Sequence, residues 1–374
     1  MRNWFHYSSA ELVGENQNRI FGLDLFRSIA IISVMLGHSN FVLGGGEWLP
    51  QTLHVAGVEW FFVLSGFLIG QIILRDFDKG LSFRSLWFFW RRRWFRTLPN
   101  YYLVLILTLV LGYFGLISTS LENFNWKFIF FLQNFDRPFF DFFWESWSLS
   151  IEEWFYIFFP LLAFLALQLK FLSKSNALLI SILLLILAPL IIKMIQPPPA
   201  NLNAFDFDNT YRKLVIYRLD SIIYGVLMAF LKLKFPQIWY KTRWAFLIIA
   251  IVVLQIFSFT ELDLGSRFAQ IFYYPLHSLT LALMIPFFDS WQKAPSWLSK
   301  PIIWVSKISY SLYLVHLGII LGLMTSFFKD YFEEWNLLMH SIFWLSSILL
   351  SSLIYLYFEN PITRLRPKYQ NRVS

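Results

Sequence analysis

The chain has 374 residues, of which 57% are hydrophobic and only 14% charged, and its mean hydropathy is +0.55. Soluble domains carry about 25% charged residues, so there is too little charge here to cover a water-facing globule of this size. A soluble enzyme, a disordered scaffold and a nucleic-acid-binding domain are excluded, and a polytopic membrane protein remains. The net charge of +8, from 31 basic and 23 acidic residues, does not require nucleic acid, because membrane proteins collect Lys and Arg in cytoplasmic loops. Cysteine is absent, which excludes disulfides, thiolate catalysis and cysteine-bound metals. The N-terminal stretch to Ile20 is polar and lacks an apolar core with a small-residue cleavage site, so no cleaved signal peptide is expected.

In chain order, apolar runs predict helices near 25–43, 57–74, 98–117, 147–169, 176–195, 214–231, 244–260, 268–288, 302–327 and 337–358. The expected fold class is all-α, a transmembrane bundle of ten spans. It forms one integral domain over 1–374, with a core at 20–364 and tails at 1–19 and 365–374. The segment 126–135 is apolar but only ten residues long, against the roughly 20 that a span needs. It reads as a re-entrant or interfacial piece. With both termini in the cytoplasm, 22 Lys and Arg lie inside and 8 lie outside or near the outer ends, with Arg27 inside the first helix. That split obeys the positive-inside rule. Counting 126–135 as a span would swap every later loop and reverse the later bias. A polar outer loop is expected from Pro197 to about residue 213, and no repeat of fixed period is visible.

Ionisable residues inside spans are costly and mark function by default. Arg27 and His38 lie eleven residues apart on the first helix, close to three full turns, so they share a face about 16 Å apart along the axis. The structural alternative is a snorkelling arginine and an incidental rim histidine. Glu152 and Glu153 enter a strongly apolar helix, pointing about 100° apart, so only one is expected to face the same cavity as His38. The alternative is stabilisation by the helix dipole. Arg93 and Arg96, in the run Arg91–Arg96 just before the third span, share a face at i, i+3. They serve either as a positive-inside anchor or as a pair of guanidinium forks for phosphate. Arg218 and Asp220 read as an ion pair at an outer helix end, and His277 and His316 as satisfied interior histidines.

Together these pieces resemble the integral-membrane acyltransferase-3 family, which acylates sugars of cell-surface glycans. The resemblance runs from about Ile20 to Arg364. It rests on Arg27 with His38, on FFVLSGFLI at Phe61–Ile69, and on Arg93, Arg96 and Pro99. It continues with the W-S-L-S-x-E-E-x-F-Y pattern from Trp147 to Tyr156, with Arg218, Asp220 and Gly225, with Ser309-Tyr310 through His316, and with the closing Glu359-Asn360-Pro361. Seven elements in the right order make the resemblance specific. Some relatives carry an added extracytoplasmic hydrolase-like domain after the last span, and that domain is not expected here.

The resemblance implies a cytoplasmic acyl-CoA donor, most simply acetyl-CoA, and an acceptor hydroxyl on a glycan or lipid-linked sugar reached from the outside of a bacterial inner membrane. Arg27, Arg93 and Arg96 would take the donor's phosphates. Ser65 and Gly66, in an LSGF turn, would let the backbone approach it. His38 would act as general base or as transient acyl carrier, oriented by Glu153 or Glu152 in the manner of a triad carboxylate, with Glu153 favoured. No metal is implied, since the histidines lack paired ligand spacing. A proton-coupled transporter also uses buried Arg, His and Glu, but commonly shows internal repeats. Oligomeric state is not legible.

Overall fold

The computed structural model describes residues 19–44, 51–78, 81–139, 141–196, 203–260 and 263–366. Among these there is no strand, and ten long helices dominate. They are α1 (Phe21–Leu43), α2 (Gln51–Asp78), α3 (Phe83–Tyr113), α4 (Ser146–Leu167), α5 (Lys174–Ile195), α6 (Val215–Lys234), α7 (Pro236–Phe259), α8 (Arg267–Ala282), α9 (Ser296–Val315) and α10 (Asn336–Ile354). Three of them continue past these limits: α8 through Ile285–Ser290, α9 through the π-helical turn His316–Leu321 into Gly322–Phe328, and α10 through the π-helical turn Tyr355–Glu359 into Asn360–Arg364. Nine helices among the described residues are long and apolar enough to cross a membrane. The tenth expected span, α6, carries Arg218, Asp220 and Lys232, and qualifies only together with the preceding piece Ala204–Arg212, from which it bends by 67°. The polytopic helical bundle is therefore as expected.

Three local expectations are corrected. The third helix does not begin after the arginines but at Phe83, where Ser82 and Ser85 form a reciprocal capping box. Its 31 residues are about 46 Å long, so Arg91–Arg96 are helical and Pro99 lies inside the helix. The described part of the stretch expected to loop from Pro197 is helical, started by the Asn203 side chain accepting the Asp206 amide at 2.8 Å; residues 197–202 lie outside the described residues. The LSGF sequence is not a turn: it sits in the middle of α2.

The segment 126–135 is a short 3₁₀ piece followed by turns, with no continuous helix. It is held from three directions. Tyr101 donates to the Phe128 carbonyl at 2.7 Å, Trp154 to the Phe131 carbonyl at 2.9 Å, and the Val215 amide to the Asn134 carbonyl at 3.0 Å. Irregular backbone beside a membrane bundle needs such partners.

Helix α2 is the centre of the bundle. Of its apolar stretch 72% is buried, against 6% for α7, whose Ile248, Ile249, Val252 and Ile256 are exposed. Small residues bring α2 and α6 together: Gly66 and Gly70 on one helix face Gly225 and Ala229 on the other. A Cβ on Gly66 would lie 1.8 Å from the Ile222 carbonyl oxygen, and one on Gly225 2.0 Å from that of Val63. This is the small-xxx-small packing that membrane helices use in place of a hydrophobic driving force. Gly66 is thus spent on helix packing, and its backbone is covered by α6.

Beside this seam lies a buried ion cluster. Glu59 on α2 takes two hydrogen bonds from the Arg218 guanidinium on α6, at 3.1 and 2.6 Å, and one from Ser278 on α8 at 2.9 Å. Lys193 on α5 approaches Asp220 at 3.5 Å. The expected pairing of Arg218 with Asp220 is only a 3.5 Å contact; the bidentate partner is Glu59, and all three residues are fully buried. Because the seam has no slack, Gly66→Ala should lower stability by about 1–3 kcal/mol through overpacking. The check is the thermal unfolding midpoint in detergent, and an unchanged midpoint would contradict the close packing of α2 on α6.

Candidate active site

One pocket opens among α1, α2, α3, α4 and α9, and helical periodicity explains its lining. On α4, Ser148, Leu149, Glu152 and Tyr156 recur at intervals of three or four and face the same way. Arg93, Arg96 and Thr97 do so on α3, Phe61, Ser65 and Leu68 on α2, and Ser309, Tyr310 and Tyr313 on α9, while Arg27 enters from α1. Five residues singled out in the sequence therefore meet here: Arg27, Arg93, Arg96, Ser65 and Glu152.

Among the described residues, none of the three guanidiniums forms an ion pair. Arg93 lies over the rings of Phe89 and Tyr156, at 5.6 and 5.5 Å from their centroids, which orients it without neutralising it. Glu152 accepts the Tyr156 hydroxyl at 2.7 Å. Tyr156 has one proton to give, so the Ser65 hydroxyl, 2.9 Å away, is the donor in the next contact. Glu153 turns from the pocket and accepts the Thr97 hydroxyl at 2.6 Å on α3. The two glutamates do face different surroundings, but it is Glu152, not the favoured Glu153, that reaches the cavity.

His38 is not in the pocket wall, and neither glutamate contacts it. Its partner is His316, with Nδ1 of His38 2.7 Å from Nε2 of His316 and the two rings stacked at 5.0 Å. The surroundings fix both tautomers. His316 Nδ1 faces the carbonyls of Leu312 and Tyr313 at 3.0 and 2.8 Å. A carbonyl only accepts, so Nδ1 carries the proton and Nε2 keeps its lone pair. His38 must then donate from Nδ1, which leaves its own Nε2 with a lone pair, the form of a general base. His316 thus fills the place that sequence reasoning gave to a carboxylate. The sequence shows it only as the end of the Ser309–His316 element and as a satisfied interior histidine. It sits one turn beyond Tyr313, whose ring centroid is 6.0 Å from its own, so the imidazole pair lies just past one end of the pocket and Arg27 at the other.

Glu145, just ahead of α4, was missed. Its side chain accepts the Gly318 amide in the π-helical turn that begins at His316, and its carbonyl accepts the Tyr313 hydroxyl at 3.1 Å. It braces the backbone that carries His316. Glu359 is a second such anchor, accepting Asn100 at 2.8 Å and Ser311 at 2.6 Å.

A family model described as an acyltransferase domain matches residues 20–357. A Staphylococcus aureus (strain COL) protein named "Putative O-acetyltransferase" is 28% identical over 372 residues, covering 92% of this chain and 57% of its own length. A peptidoglycan O-acetyltransferase of Listeria monocytogenes is 33% identical over 174 residues, covering 42% of this chain and 26% of its own. The chain thus spans little more than half the length of the first and a smaller part of the second.

The tautomer assignment is directly measurable. Nitrogen-15 NMR of histidine-labelled protein in nanodiscs should show His316 protonated on Nδ1 and His38 unprotonated on Nε2. His316→Ala should release His38 into a mixture of tautomers, and a mixture already present in the unmodified protein would contradict the assignment.

Proposed function

The chain belongs to the acyltransferase family whose model covers residues 20–357 and is a multi-pass membrane protein, and from that premise we propose that it moves an acyl group, acetyl first of all, from acyl-CoA to a hydroxyl of an exported or cell-surface glycan. One observation carries this reading: Arg27, Arg93 and Arg96 converge on a single intramembrane pocket with no ion-pair partner among the described residues. Three guanidiniums against the single carboxylate of Glu152 leave an excess of positive charge in this pocket, which favours an anion, and planar forks suit phosphate oxygens. The names of the two relatives support acetyl as the group, and that of the Listeria protein supports a peptidoglycan-like acceptor. The 22-to-8 distribution of basic residues supports cytoplasmic termini and a cytoplasmic arginine end. On this reading the chain sits in the bacterial cytoplasmic membrane.

The donor's phosphates bind the arginines, and its acyl arm follows α4 from Tyr156 toward Ser148, a rise of about 12 Å. The acyl carbon then meets His38. Nε2 of His38 takes the proton of the acceptor hydroxyl as that oxygen attacks the thioester carbonyl. The C–S bond breaks, the proton passes to the departing sulfur, and the products are an ester and free CoA. The same nitrogen is also able to take the acyl group first; release of CoA before acceptor is added separates the two routes. Glu152 holds Tyr156 and balances the guanidinium charge, while Glu153 secures α3 through Thr97.

Sealed vesicles provide the test. Radiolabelled acetyl-CoA should be consumed by inside-out vesicles and left untouched by right-side-out ones, and equal consumption by both would refute the donor-entry scheme. His38→Ala should retain under a tenth of the rate with membrane insertion intact. Replacing Arg93 and Arg96 with Gln should raise the donor KM and leave that of the acceptor nearly constant, since the contacts exist in ground and transition states alike. Lys at both positions should rescue only in part. Glu152→Gln should be severe and Glu153→Gln mild; equal small losses would place both carboxylates outside the reaction.

A further inference from the structure

The end of the pocket nearest the imidazole pair is closed by two hydroxyls. Ser148, in the first turn of α4, and Tyr313, in the last turn of α9, both line the cavity, and only 4% and 6% of their surfaces are exposed. Their oxygens lie 2.7 Å apart. Both also reach a single acceptor, the Glu145 carbonyl, at 3.1 Å from Tyr313 and 3.4 Å from Ser148.

Proton counting shows what the pair has to spare. Two hydroxyls bring two protons. If Ser148 donates to Tyr313, the Tyr313 proton goes to Glu145 and both are used. If Tyr313 donates to Ser148, the Ser148 proton is left with the 3.4 Å contact alone, near the limit of a hydrogen bond. Exchange between the two arrangements needs only hydroxyl rotation. Against an acceptor stronger than the Glu145 carbonyl, the same rotation can turn both O–H groups toward the cavity. Phe61, with its ring 6.3 Å from that of Tyr313, and the ring of His316 flank the tyrosine and restrict its movement.

We propose that the Ser148 and Tyr313 hydroxyls are the donors that receive the carbonyl oxygen of the acyl thioester and hold the negative charge that develops there. The inference rests on the acyl-CoA reading above and extends it from the phosphate end of the donor to its reacting end. As the acceptor oxygen bonds to the carbonyl carbon and His38 Nε2 takes its proton, the C=O electron pair moves onto the carbonyl oxygen. The two hydroxyls meet that oxyanion. When the C–S bond breaks, the pair returns, the carbonyl re-forms, and sulfur leaves with the proton His38 took from the acceptor. A thioester carbonyl is a weak acceptor and an oxyanion a strong one. The contribution therefore falls on the transition state and on kcat.

Steady-state kinetics of the full chain in nanodiscs, with acetyl-CoA as donor, test this. Tyr313→Phe should lower kcat about 100-fold, as loss of an oxyanion donor does, with the donor KM within about twofold. Ser148→Ala should lose activity in the same sense, and Ser148→Thr, which keeps a hydroxyl, should recover most of it. If Tyr313→Phe does not assemble, the Ser148 pair alone carries the test. A kcat for both variants within threefold of the unmodified protein, a loss confined to donor KM, or failure of Thr to rescue Ala would overturn the proposal and leave the acyl-CoA reading standing. No acetyl transfer by the unmodified protein would remove both.

Discussion

An ionised side chain inside a bilayer-spanning bundle costs several kcal/mol unless it meets an opposite charge, a hydrogen-bonding cage or water. This chain satisfies that constraint in two different ways, and the contrast organises the whole molecule. Beside the α2–α6 seam the charges are matched: Glu59 holds Arg218 with two hydrogen bonds, Ser278 adds a third, and Lys193 approaches Asp220. In the pocket the positive charges are left without ion pairs among the described residues. The first arrangement is structural, since removing either partner would strand a buried charge. The second is the arrangement on which the proposed binding of the donor's phosphates rests.

The seam makes the pocket possible. Gly66 and Gly225 bring α2 and α6 into backbone contact. That contact fixes the face of α2 which turns Ser65 toward Tyr156 and Phe61 toward Tyr313. Adjacent residues on α2 thus divide the work, with Gly66 packing and Ser65 lining the cavity. The same division recurs on α4, where Glu152 faces the pocket and Glu153 holds Thr97 on α3. One helix face meets the ligand space and the next, about 100° away, holds the frame.

The imidazole pair shows how a membrane interior selects a protonation pattern without a carboxylate. Two backbone carbonyls of α9 fix His316, and His316 fixes His38. A π-helical turn starts at His316, and the amide of Gly318 within it is taken up by Glu145. The wide turn and its glutamate are therefore part of the histidine's support.

Much of this could be read before any fold was known, because hydrocarbon thickness sets the length of an apolar run and the price of charge makes each ionisable residue in it conspicuous. The polytopic helical bundle and the prominence of Arg27, Arg93, Arg96, Ser65 and Glu152 follow from that reasoning together with the family resemblance, whereas the grouping of Glu152 with the arginines, away from His38, does not. Partnerships do not. His38 and His316 are 278 positions apart and Glu59 and Arg218 are 159 apart; such contacts depend on how helices cross and rotate, which periodicity along one helix leaves undetermined. Nor was the role of Gly66 readable, since a glycine in an apolar helix looks the same whether a ligand or a neighbouring backbone approaches it. The start of α3 at Phe83 escaped for a simpler reason: its arginines look like loop by hydropathy, while the Ser82–Ser85 cap and the rest of the bundle keep them helical and turn two of them inward.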